Sequence, residues 1–390
     1  MSQSSNVGVT AAKGFRAAGV TAGLKASGNP DLALVVNDGP SLAAAGVFTA
    51  NRVKAAPVIW SEQVLKGGQV SAVVLNSGGA NACTGPLGFQ DTHATAEKAA
   101  AELGLNAGEV AVASTGLIGV RLPMDLLLPG VELAAGELSG TGGEAAAIAI
   151  KTTDTVHKTA QYTSPAGWTV GGMAKGAGML APSLATMLVV LTTDAALDAA
   201  ALDTALRGAT RTTFDRIDSD GCMSTNDTVL LLASAASGVT PEQAEFAEAV
   251  RTVSGDLARQ LIGDAEGASK EIRIDVTGAA TEDEAVEVAR TISRNNLLKC
   301  AIHGEDPNWG RVLAAIGTTS AAFDPNELDV AINGVWVCKS GGVGEDRDLV
   351  DMKGREVVIT AHLNAGTASA ALWTNDLTAD YVHENSAYST

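Results

Sequence analysis

Short apolar runs that end at turn-forming residues are the main pattern of the first third of the chain. Runs bounded in this way by glycine, proline or asparagine are typical of strands. Three of them predict strands, at residues 32–36, 70–75 and 110–113. The first run ends at Asn37-Asp-Gly-Pro40, and the third leads into Ser114-Thr-Gly116.

Two other segments of this region follow different patterns. The alanine-rich residues 93–103 predict a helix, with Asp91 as its N-cap and Gly104 beyond its end. Residues 130–145 are rich in Gly, Ala and Ser, and this composition predicts a flexible connection on the surface.

The densest apolar run of the chain is at residues 187–191, with Thr186 at its start. A run that is apolar on both faces predicts a buried central strand, and this one is far too short to span a membrane. Trp168-Thr-Val170 predicts an earlier strand, and a glycine-dense stretch follows it.

Helical spacing dominates the next third. Pro241 suits a first helical turn, and apolar residues follow at helical intervals: Phe246, Val250, Val253, Leu257 and Leu261. Thr281-Glu-Asp-Glu284 predicts a capping box at the start of another helix.

The last third is rich in predicted strands. Ile272, Ile274 and Val276 alternate with polar residues, as in a half-buried strand. Asn333-Gly334 lies between two apolar pairs and predicts a type I′ hairpin.

Strands and helices interleave at first and segregate towards the C-terminus, which predicts an α/β fold built as a layered α+β sandwich. The 390 residues exceed what one hydrophobic core usually serves. We expect two portions, residues 1–271 and 272–390.

Charge and composition narrow the function. The net charge is −18, which makes nucleic acid and anionic membranes poor partners. Hydrophobic residues make up 46% of the chain, so a large core is expected. The polar N-terminal residues show no targeting pattern, and we expect a cytoplasmic protein.

The cysteines and histidines predict neither a metal site nor disulfides. Four cysteines lie far apart without a CxxC pair, and five histidines show no ligand spacing. Four free thiols in a reducing compartment are expected.

Thr186 is the first candidate for catalysis. It lies at the start of the predicted buried strand and follows small residues that permit a tight backbone. In N-terminal-nucleophile chemistry the threonine Oγ attacks the carbonyl of the preceding residue, Ala185, and the freed α-amine becomes its general base. Pattern alone favours the alternative, an ordinary first residue of a strand.

An acyl transferase also needs donors for a developing oxyanion. The hydroxyl of Thr115 and the backbone N–H of Gly116 are candidates, because they follow a predicted strand. An ordinary loop is the alternative interpretation.

The segment from Lys175 to Asp194 closely resembles the cleavage-site segment of the ornithine acetyltransferase (glutamate N-acetyltransferase) family. Further motifs of that family occur in the same order along residues 14–390: Gly14-Phe15, Gly23-Leu-Lys25, Ala45-Gly-Val-Phe-Thr49, Asn81-Ala-Cys83, Ser114-Thr-Gly116, Thr152-Thr-Asp-Thr155, Ser224-Thr-Asn-Asp227, Asp264-Ala-Glu-Gly267, Asp306-Pro-Asn-Trp-Gly-Arg311 and Asn385-Ser-Ala-Tyr-Ser-Thr390.

The resemblance implies an N-terminal-nucleophile-like fold and self-cleavage between Ala185 and Thr186, giving chains 1–185 and 186–390 in an α₂β₂ assembly. It also implies that Thr186 takes acetyl from N2-acetylornithine and passes it to glutamate in a ping-pong cycle. Thr115 and Gly116 match the oxyanion hole. No metal and no organic cofactor are implied, and acetyl-CoA as an additional donor is left open.

The resemblance also implies substrate contacts at six residues: Thr152, Lys175, Thr186, Glu266, Asn385 and Thr390. The Lys175 ammonium suits the shared α-carboxylate as a point charge. Glu266 suits the side-chain ammonium of ornithine. Thr153 and Thr155 are alternatives to Thr152, and Ser224-Thr-Asn-Asp227 is a candidate for supporting hydrogen bonds around the site.

The chain departs from the family pattern at two places, Gly79 and Cys222-Met223, which affects acceptor preference more than reaction class. Two other functions are consistent with the sequence: an amide hydrolase or aminopeptidase that uses the same nucleophile, and a non-catalytic amino-acid-binding protein.

Overall fold

The computed structural model describes residues 6–179 and 187–387. In these ranges fifteen strands form three sheets. The strands are β1 (Phe15–Val20), β2 (Leu32–Asn37), β3 (Ala44–Phe48), β4 (Ala72–Asn76), β5 (Val110–Ser114), β6 (Lys158–Thr163), β7 (Thr169–Lys175), β8 (Leu188–Thr193), β9 (Thr228–Ala233), β10 (Glu271–Ala279), β11 (Asp329–Ile332), β12 (Val335–Lys339), β13 (Gly342–Val343), β14 (Glu356–His362) and β15 (Ala368–Asn375).

Ten α-helices are described in the same ranges. They are α1 (Ala56–Val64), α2 (Gly85–Leu103), α3 (Met124–Gly136), α4 (Gly143–Ala149), α5 (Ala199–Thr212), α6 (Gln243–Gly263), α7 (Glu282–Ser293), α8 (Asn296–His303), α9 (Trp309–Ile316) and α10 (Ala379–Ala387).

The five-stranded sheet has the order β3-β9-β8-β7-β6. Every residue of β8 is buried, as predicted for a central strand, and β8 pairs antiparallel with β7 and parallel with β9. β7 continues through the glycine-dense stretch. A Cβ on Gly171 would lie 2.1 Å from the carbonyl oxygen of Gly8, so glycine there permits close backbone packing.

The four-stranded sheet, in the order β1-β2-β4-β5, contains the three strands predicted in the first third of the chain. One apolar cluster joins it to the five-stranded sheet and includes Val35 and Val73 from one sheet and Val190 and Leu230 from the other. Helices α2 and α3 cover its outer face, whereas α5 and α6 cover the outer face of the five-stranded sheet. The predicted layered α/β sandwich is confirmed.

Three local predictions in these layers are wrong. Residues 130–145 are a surface connection only at residues 137–142. The others belong to the end of α3 and the start of α4, and the small residue Gly130 packs closely, since a Cβ there would lie 2.4 Å from the Cβ of Ala22. Asp91 is not an N-cap but lies within α2, where its carboxylate pairs with Arg121. Pro241 precedes α6, which begins at Gln243.

The six-stranded sheet, in the order β13-β12-β11-β14-β10-β15, is formed entirely from strands between residues 271 and 375. Its own apolar cluster packs beneath α7, α8 and α9. The predicted hairpin is confirmed, with positive φ angles at Asn333 (48°) and Gly334 (83°). The N-cap of α7 is confirmed as well, because the hydroxyl of Thr281 accepts the N–H of Glu284.

All four cysteines are free thiols, and only Cys338 is buried. Across residues 6–179 and 187–387, no helix has the length and hydropathy that a membrane span requires. The same ranges contain no cluster of three His, Cys, Asp or Glu side chains arranged to hold a metal ion.

Candidate active site

One pocket of about 280 Å³ brings together the predicted site residues that the structure describes. Its lining includes Thr115, Gly116, Thr152, Lys175, Glu266 and Asn385. The other predicted residues, Ala185, Thr186 and Thr390, lie outside the described residues. Residues separated by up to 270 positions in the sequence therefore converge on one concave surface.

The elements that converge there come from the four-stranded and five-stranded sheets, their helices and the C-terminal helix. Thr115 follows the last residue of β5, and Lys175 is the last residue of β7. Thr152 follows α4, Glu266 follows α6, and Asn385 lies in α10. The pocket thus lies where the ends of two sheets meet the C-terminal helix.

The turn at Thr115 and Gly116 has the features of an oxyanion hole. The hydroxyl Oγ1 of Thr115 is buried and has no hydrogen-bond partner among the described residues. Gly116 has a φ of 131°, and a Cβ there would lie 2.8 Å from the nitrogen of Gly79. Glycine is therefore required at position 116, and the turn leaves a hydroxyl donor available to a ligand.

Gly79, one of the two departures from the family pattern, packs directly against this turn. Its N–H donates to the carbonyl oxygen of Thr115 at 3.0 Å. A Cβ at position 79 would lie 3.0 Å from Cδ2 of Leu122, so a larger residue requires that side chain to shift. The other departure, Cys222-Met223, does not line the pocket, although the next residue, Ser224, does.

Lys175 lies at the base of the pocket in a buried group of charges. Its side chain is 2% exposed, and its Nζ is 3.8 Å from Oδ2 of Asp154. The Nζ of Lys158, also fully buried, lies 2.7 Å from Asp154 Oδ1 and 2.6 Å from Asp264 Oδ2. Two ammonium groups therefore share the buried carboxylate of Asp154.

Two pKa values in this group are shifted downwards, for different reasons. Burial lowers the pKa of Lys175, and the nearby carboxylate of Asp154 only partly opposes this effect. Burial disfavours ionisation of Asp154, yet the ammonium groups of Lys175 and Lys158 and the N–H of Gly176 together hold the pKa of Asp154 well below its usual range. Asp154 is therefore a carboxylate at neutral pH.

Glu266 is held from two sides. Its Oε1 accepts a hydrogen bond from Thr153 Oγ1 at 2.8 Å, and its Oε2 accepts one from Asn385 Nδ2 at 2.9 Å. Gly178 lies directly against the carboxylate, since a Cβ there would be 2.7 Å from Oε2. A carboxylate fixed in this way at the pocket wall suits a cationic group of a ligand.

The loop after α4 excludes one of the three threonines that the sequence offered as a pocket residue. Thr152 and Thr153 both line the pocket, whereas Thr155 does not and instead hydrogen-bonds Asp264 through its hydroxyl. Sequence reasoning did not assign a role to Asp154, although the residue lies within a quoted motif. Its contacts with Lys158 and Lys175 depend on the folded sheet and left no local signal.

Known proteins match this chain over nearly its whole length. A sequence model of the ArgJ family matches residues 16–390. The arginine biosynthesis bifunctional protein ArgJ of Streptomyces avermitilis is 80% identical over 381 residues, which cover 98% of this chain and 99% of that protein. The protein of the same name from Thermobifida fusca is 63% identical and covers 98% of this chain and 100% of that protein.

A solved structure is also similar in sequence. The crystal structure of an ornithine acetyltransferase complexed with ornithine, from Mycobacterium tuberculosis, is 62% identical to this chain. The match covers 47% of this chain and 97% of that chain, with a TM-score of 0.45.

Proposed function

The chain belongs to the ArgJ family, and from this premise we propose how its residues carry out the reaction. The chain is an acyltransferase of arginine biosynthesis that transfers acetyl from N2-acetylornithine to glutamate, giving ornithine and N-acetylglutamate. Its layered α/β sandwich is accordingly the N-terminal-nucleophile-like fold of this family. The observation that carries the residue assignments is the single pocket that Thr115, Thr152, Lys175, Glu266 and Asn385 share.

In the proposed mechanism Thr186 Oγ first attacks the carbonyl carbon of Ala185, the C–N bond between Ala185 and Thr186 breaks, and water hydrolyses the resulting ester to give two chains. The freed Thr186 Oγ then attacks the acetamide carbonyl of N2-acetylornithine, and its proton passes through the α-amine to the departing nitrogen of ornithine. The C–N bond breaks, which leaves an acetyl ester on Thr186. The amine of glutamate attacks this ester and restores the free hydroxyl.

Thr115 and Gly116 would stabilise the negative charge that develops on the acetyl oxygen in both halves of the cycle. The buried hydroxyl of Thr115 has no partner in the described parts of the chain, which supports this role. A donor that is already oriented and kept from water needs little rearrangement in the transition state.

The pocket walls support the proposed substrate contacts. Lys175 would bind the α-carboxylate shared by N2-acetylornithine and N-acetylglutamate, with Thr152 beside it. Glu266 would bind the side-chain ammonium of ornithine. Asn385 would complete the wall from α10, and Thr390 would provide a further substrate contact.

Three finer features belong to the same proposal. Acetyl-CoA would serve as an additional donor, in keeping with the bifunctional ArgJ proteins named above. Chains 1–185 and 186–390 would stay together as an α₂β₂ assembly in the cytoplasm. Residues 272–390 would form the second portion, since the strands of the six-stranded sheet lie between residues 271 and 375.

The experiment that tests the function is an acetyl-transfer assay with N2-acetylornithine in the presence and absence of glutamate. We expect ornithine and N-acetylglutamate in equal amounts when both substrates are present. Release of acetate without N-acetylglutamate would indicate the amide hydrolase instead. Ligand binding without any turnover would indicate the amino-acid-binding protein.

Replacing Thr115 by valine is expected to lower kcat by about 10²-fold, which is the usual loss for one oxyanion donor. Valine keeps the shape of threonine and removes the hydroxyl. Thr163→Val, at a partly exposed threonine of β6 outside the pocket, serves as the control and should leave kcat unchanged. An unchanged rate in Thr115→Val would remove this hydroxyl from the mechanism.

A further inference from the structure

Asn226 is a buried polar residue of the pocket lining that links two loops by hydrogen bonds. Its side chain is 3% exposed, and its Nδ2 donates to the carbonyl oxygens of Ala80 at 2.6 Å and of Ser114 at 2.8 Å. Ser114 directly precedes Thr115. Asn226 therefore holds the backbone from which the proposed oxyanion donors project.

The next residue, Asp227, contacts the other side of the reaction centre. Its side chain is fully buried, and its Oδ1 accepts a hydrogen bond from the N–H of Met187 at 3.0 Å. Met187 directly follows Thr186 in the chain, so this nitrogen is bonded to the carbonyl carbon of Thr186. The main chain adds a second link, because the N–H of Thr228 donates to the carbonyl oxygen of Met187 at 3.1 Å.

The surroundings of Asp227 indicate which form of the carboxyl makes this contact. Burial raises the pKa of Asp227 well above its usual range, against the opposing effects of the Met187 N–H, the Ser224 and Thr49 side chains and the Lys175 ammonium. A neutral carboxyl and a carboxamide have similar shape and polarity. Asparagine at position 227 therefore preserves the acceptor for the Met187 N–H.

We propose, on the basis of the proposed nucleophile Thr186, that Asn226 and Asp227 are positioning residues that set the distance between the nucleophile and the oxyanion hole. Asn226 fixes Ser114 and hence Thr115, while Asp227 fixes Met187 and hence Thr186. The two side chains are adjacent at the start of β9, which pairs with β8. One rigid dipeptide thus orients both halves of the reaction centre.

This role predicts a loss in rate more than in binding. A displacement of about 1 Å between reacting groups costs about 10²-fold in rate, because the barrier depends on their alignment. Neither Asn226 nor Asp227 is assigned a contact with the substrate carboxylate or ammonium. Changes at these positions should therefore lower kcat while KM for N2-acetylornithine changes little.

Asn226→Asp tests the first contact. Aspartate has the same shape but no NH₂ group, so its carboxyl can donate to at most one of the carbonyl oxygens of Ala80 and Ser114 when protonated and to neither when ionised. We expect kcat to fall by about 10²-fold and self-cleavage to slow, with KM within about threefold of wild type. The decisive measurement is the kcat of protein that has been shown to be folded by its thermal transition.

Asn37→Asp is the matched control. Asn37 is also buried, and its Nδ2 also donates to two carbonyl oxygens, of Ser41 at 3.0 Å and of Ala233 at 3.1 Å, but it does not line the pocket. We expect Asn37→Asp to lower the melting temperature while the folded enzyme keeps its kcat. Equal effects of the two variants on kcat would show a structural role only and would overturn the proposal.

A double-mutant cycle tests whether Asn226 acts through Thr115. If it does, adding Thr115→Val to Asn226→Asp should cause little further loss of kcat, because the hydroxyl is already displaced. If the two losses multiply, the residues act independently and the coupling is refuted.

The pair Asp227→Asn and Asp227→Ala tests the second contact. Asparagine should retain most of the self-cleavage and kcat, whereas alanine should lose about 10²-fold in each, since it leaves the Met187 N–H without its acceptor. Alanine that behaves like wild type, or asparagine that behaves like alanine, would contradict the role of Asp227.

Measurements of self-cleavage and transferase activity on the wild-type protein show whether the proposed function or only the positioning role has failed. An uncleaved wild-type chain without transferase activity would refute the assignment of Thr186 itself. Cleaved and active wild type, together with an Asn226→Asp variant as active as Asn37→Asp, would refute the positioning role alone.

Discussion

Thr186→Ala is expected to leave a single chain of 390 residues and to abolish acetyl transfer. Alanine has no hydroxyl to attack the carbonyl of Ala185, so the acyl shift that starts self-cleavage cannot occur. The same hydroxyl carries the acetyl group during turnover. Removal of the nucleophile therefore eliminates both processes, and the expected loss of rate is the largest for any single substitution in this chain.

The measurement is the intact mass of purified protein under denaturing conditions. Wild type should give two chains, 1–185 and 186–390, the second beginning at Thr186, whereas Thr186→Ala should give one chain of 39.3 kDa. Thr186→Ser keeps a hydroxyl and should still be cut. Two fragments from Thr186→Ala would show that another protease makes the cut.

Thr192→Val is the control for this experiment. Thr192 is a buried threonine of β8 whose Oγ1 donates to the carbonyl oxygen of Val9 at 2.9 Å. Its replacement removes a hydroxyl from the same strand without touching the proposed cleavage bond. The Thr192→Val chain should be cut as completely as wild type.

The pH dependence of the wild-type rate adds a separate check on Thr186. A free α-amine has a pKa of about 7.7 to 8.0 and accepts a proton only when it is neutral. The rate should therefore rise as the pH passes upwards through this range. A rate that is constant between about pH 6 and 9 would indicate a different base.

Strands with a regular pattern of apolar residues were the most predictable part of the fold. The apolar run at 187–191 predicted β8, because a continuous apolar run indicates a buried strand whichever elements pack against it. Ile272, Ile274 and Val276 predicted β10 by their alternation with polar residues. The small-residue segment at residues 130–145 was misjudged. Gly130 allows close packing against Ala22, whereas local composition alone suggests a flexible loop.

The candidate site shows a different limit. Motifs identified Lys175, Glu266 and Asn385, and the structure brings all three to one pocket. The contacts of the supporting groups were not predictable from local sequence, although the motif Ser224-Thr-Asn-Asp227 indicated supporting hydrogen bonds around the site. Asp154 contacts the ammonium of Lys175 across 21 positions, and Asn226 contacts Ser114 across 112, so only the folded layers bring these partners together.

Asp154→Asn is expected to destabilise the protein by about 3–5 kcal/mol, the usual cost of removing one partner from buried ion pairs. The carboxylate accepts hydrogen bonds from the N–H groups of Gly176 at 2.7 Å and Thr152 at 3.0 Å, as well as from the Lys158 ammonium. Asparagine at position 154 would have an NH₂ group in place of one carboxylate oxygen, and this donor would face the N–H and ammonium donors that the oxygen now accepts. It would also leave the buried Lys175 ammonium without its carboxylate.

The measurement is the free energy of unfolding from urea titration of wild type and variant. Asp38→Asn provides the control, because the Arg16–Asp38 pair is exposed, with 42% exposure on each side, and such pairs contribute about 0–1 kcal/mol. A midpoint for Asp154→Asn equal to that of Asp38→Asn would show that the buried charges do not depend on Asp154.

A second variant shows whether the uncompensated charge causes the loss. Lys175→Met removes the ammonium and keeps the length of the aliphatic stem, so Asp154→Asn combined with Lys175→Met should regain part of the lost stability. The double variant should lack acetyl transfer, because it has lost Lys175, the proposed contact of the substrate α-carboxylate. Destabilisation that is simply additive in the double variant would contradict the charge explanation.

The sign of the pH dependence follows from the depressed pKa of Asp154 in the folded state. A group of this kind adds stability above the unfolded carboxyl pKa of about 3.9 and loses that contribution as the pH falls through the folded value. The difference in stability between wild type and Asp154→Asn should therefore be constant near neutral pH and shrink below about pH 4. Protonation of Asp154 and its replacement by asparagine remove the same negative charge. If the stability difference between wild type and Asp154→Asn instead grew as the pH fell, a group other than Asp154 would be its cause.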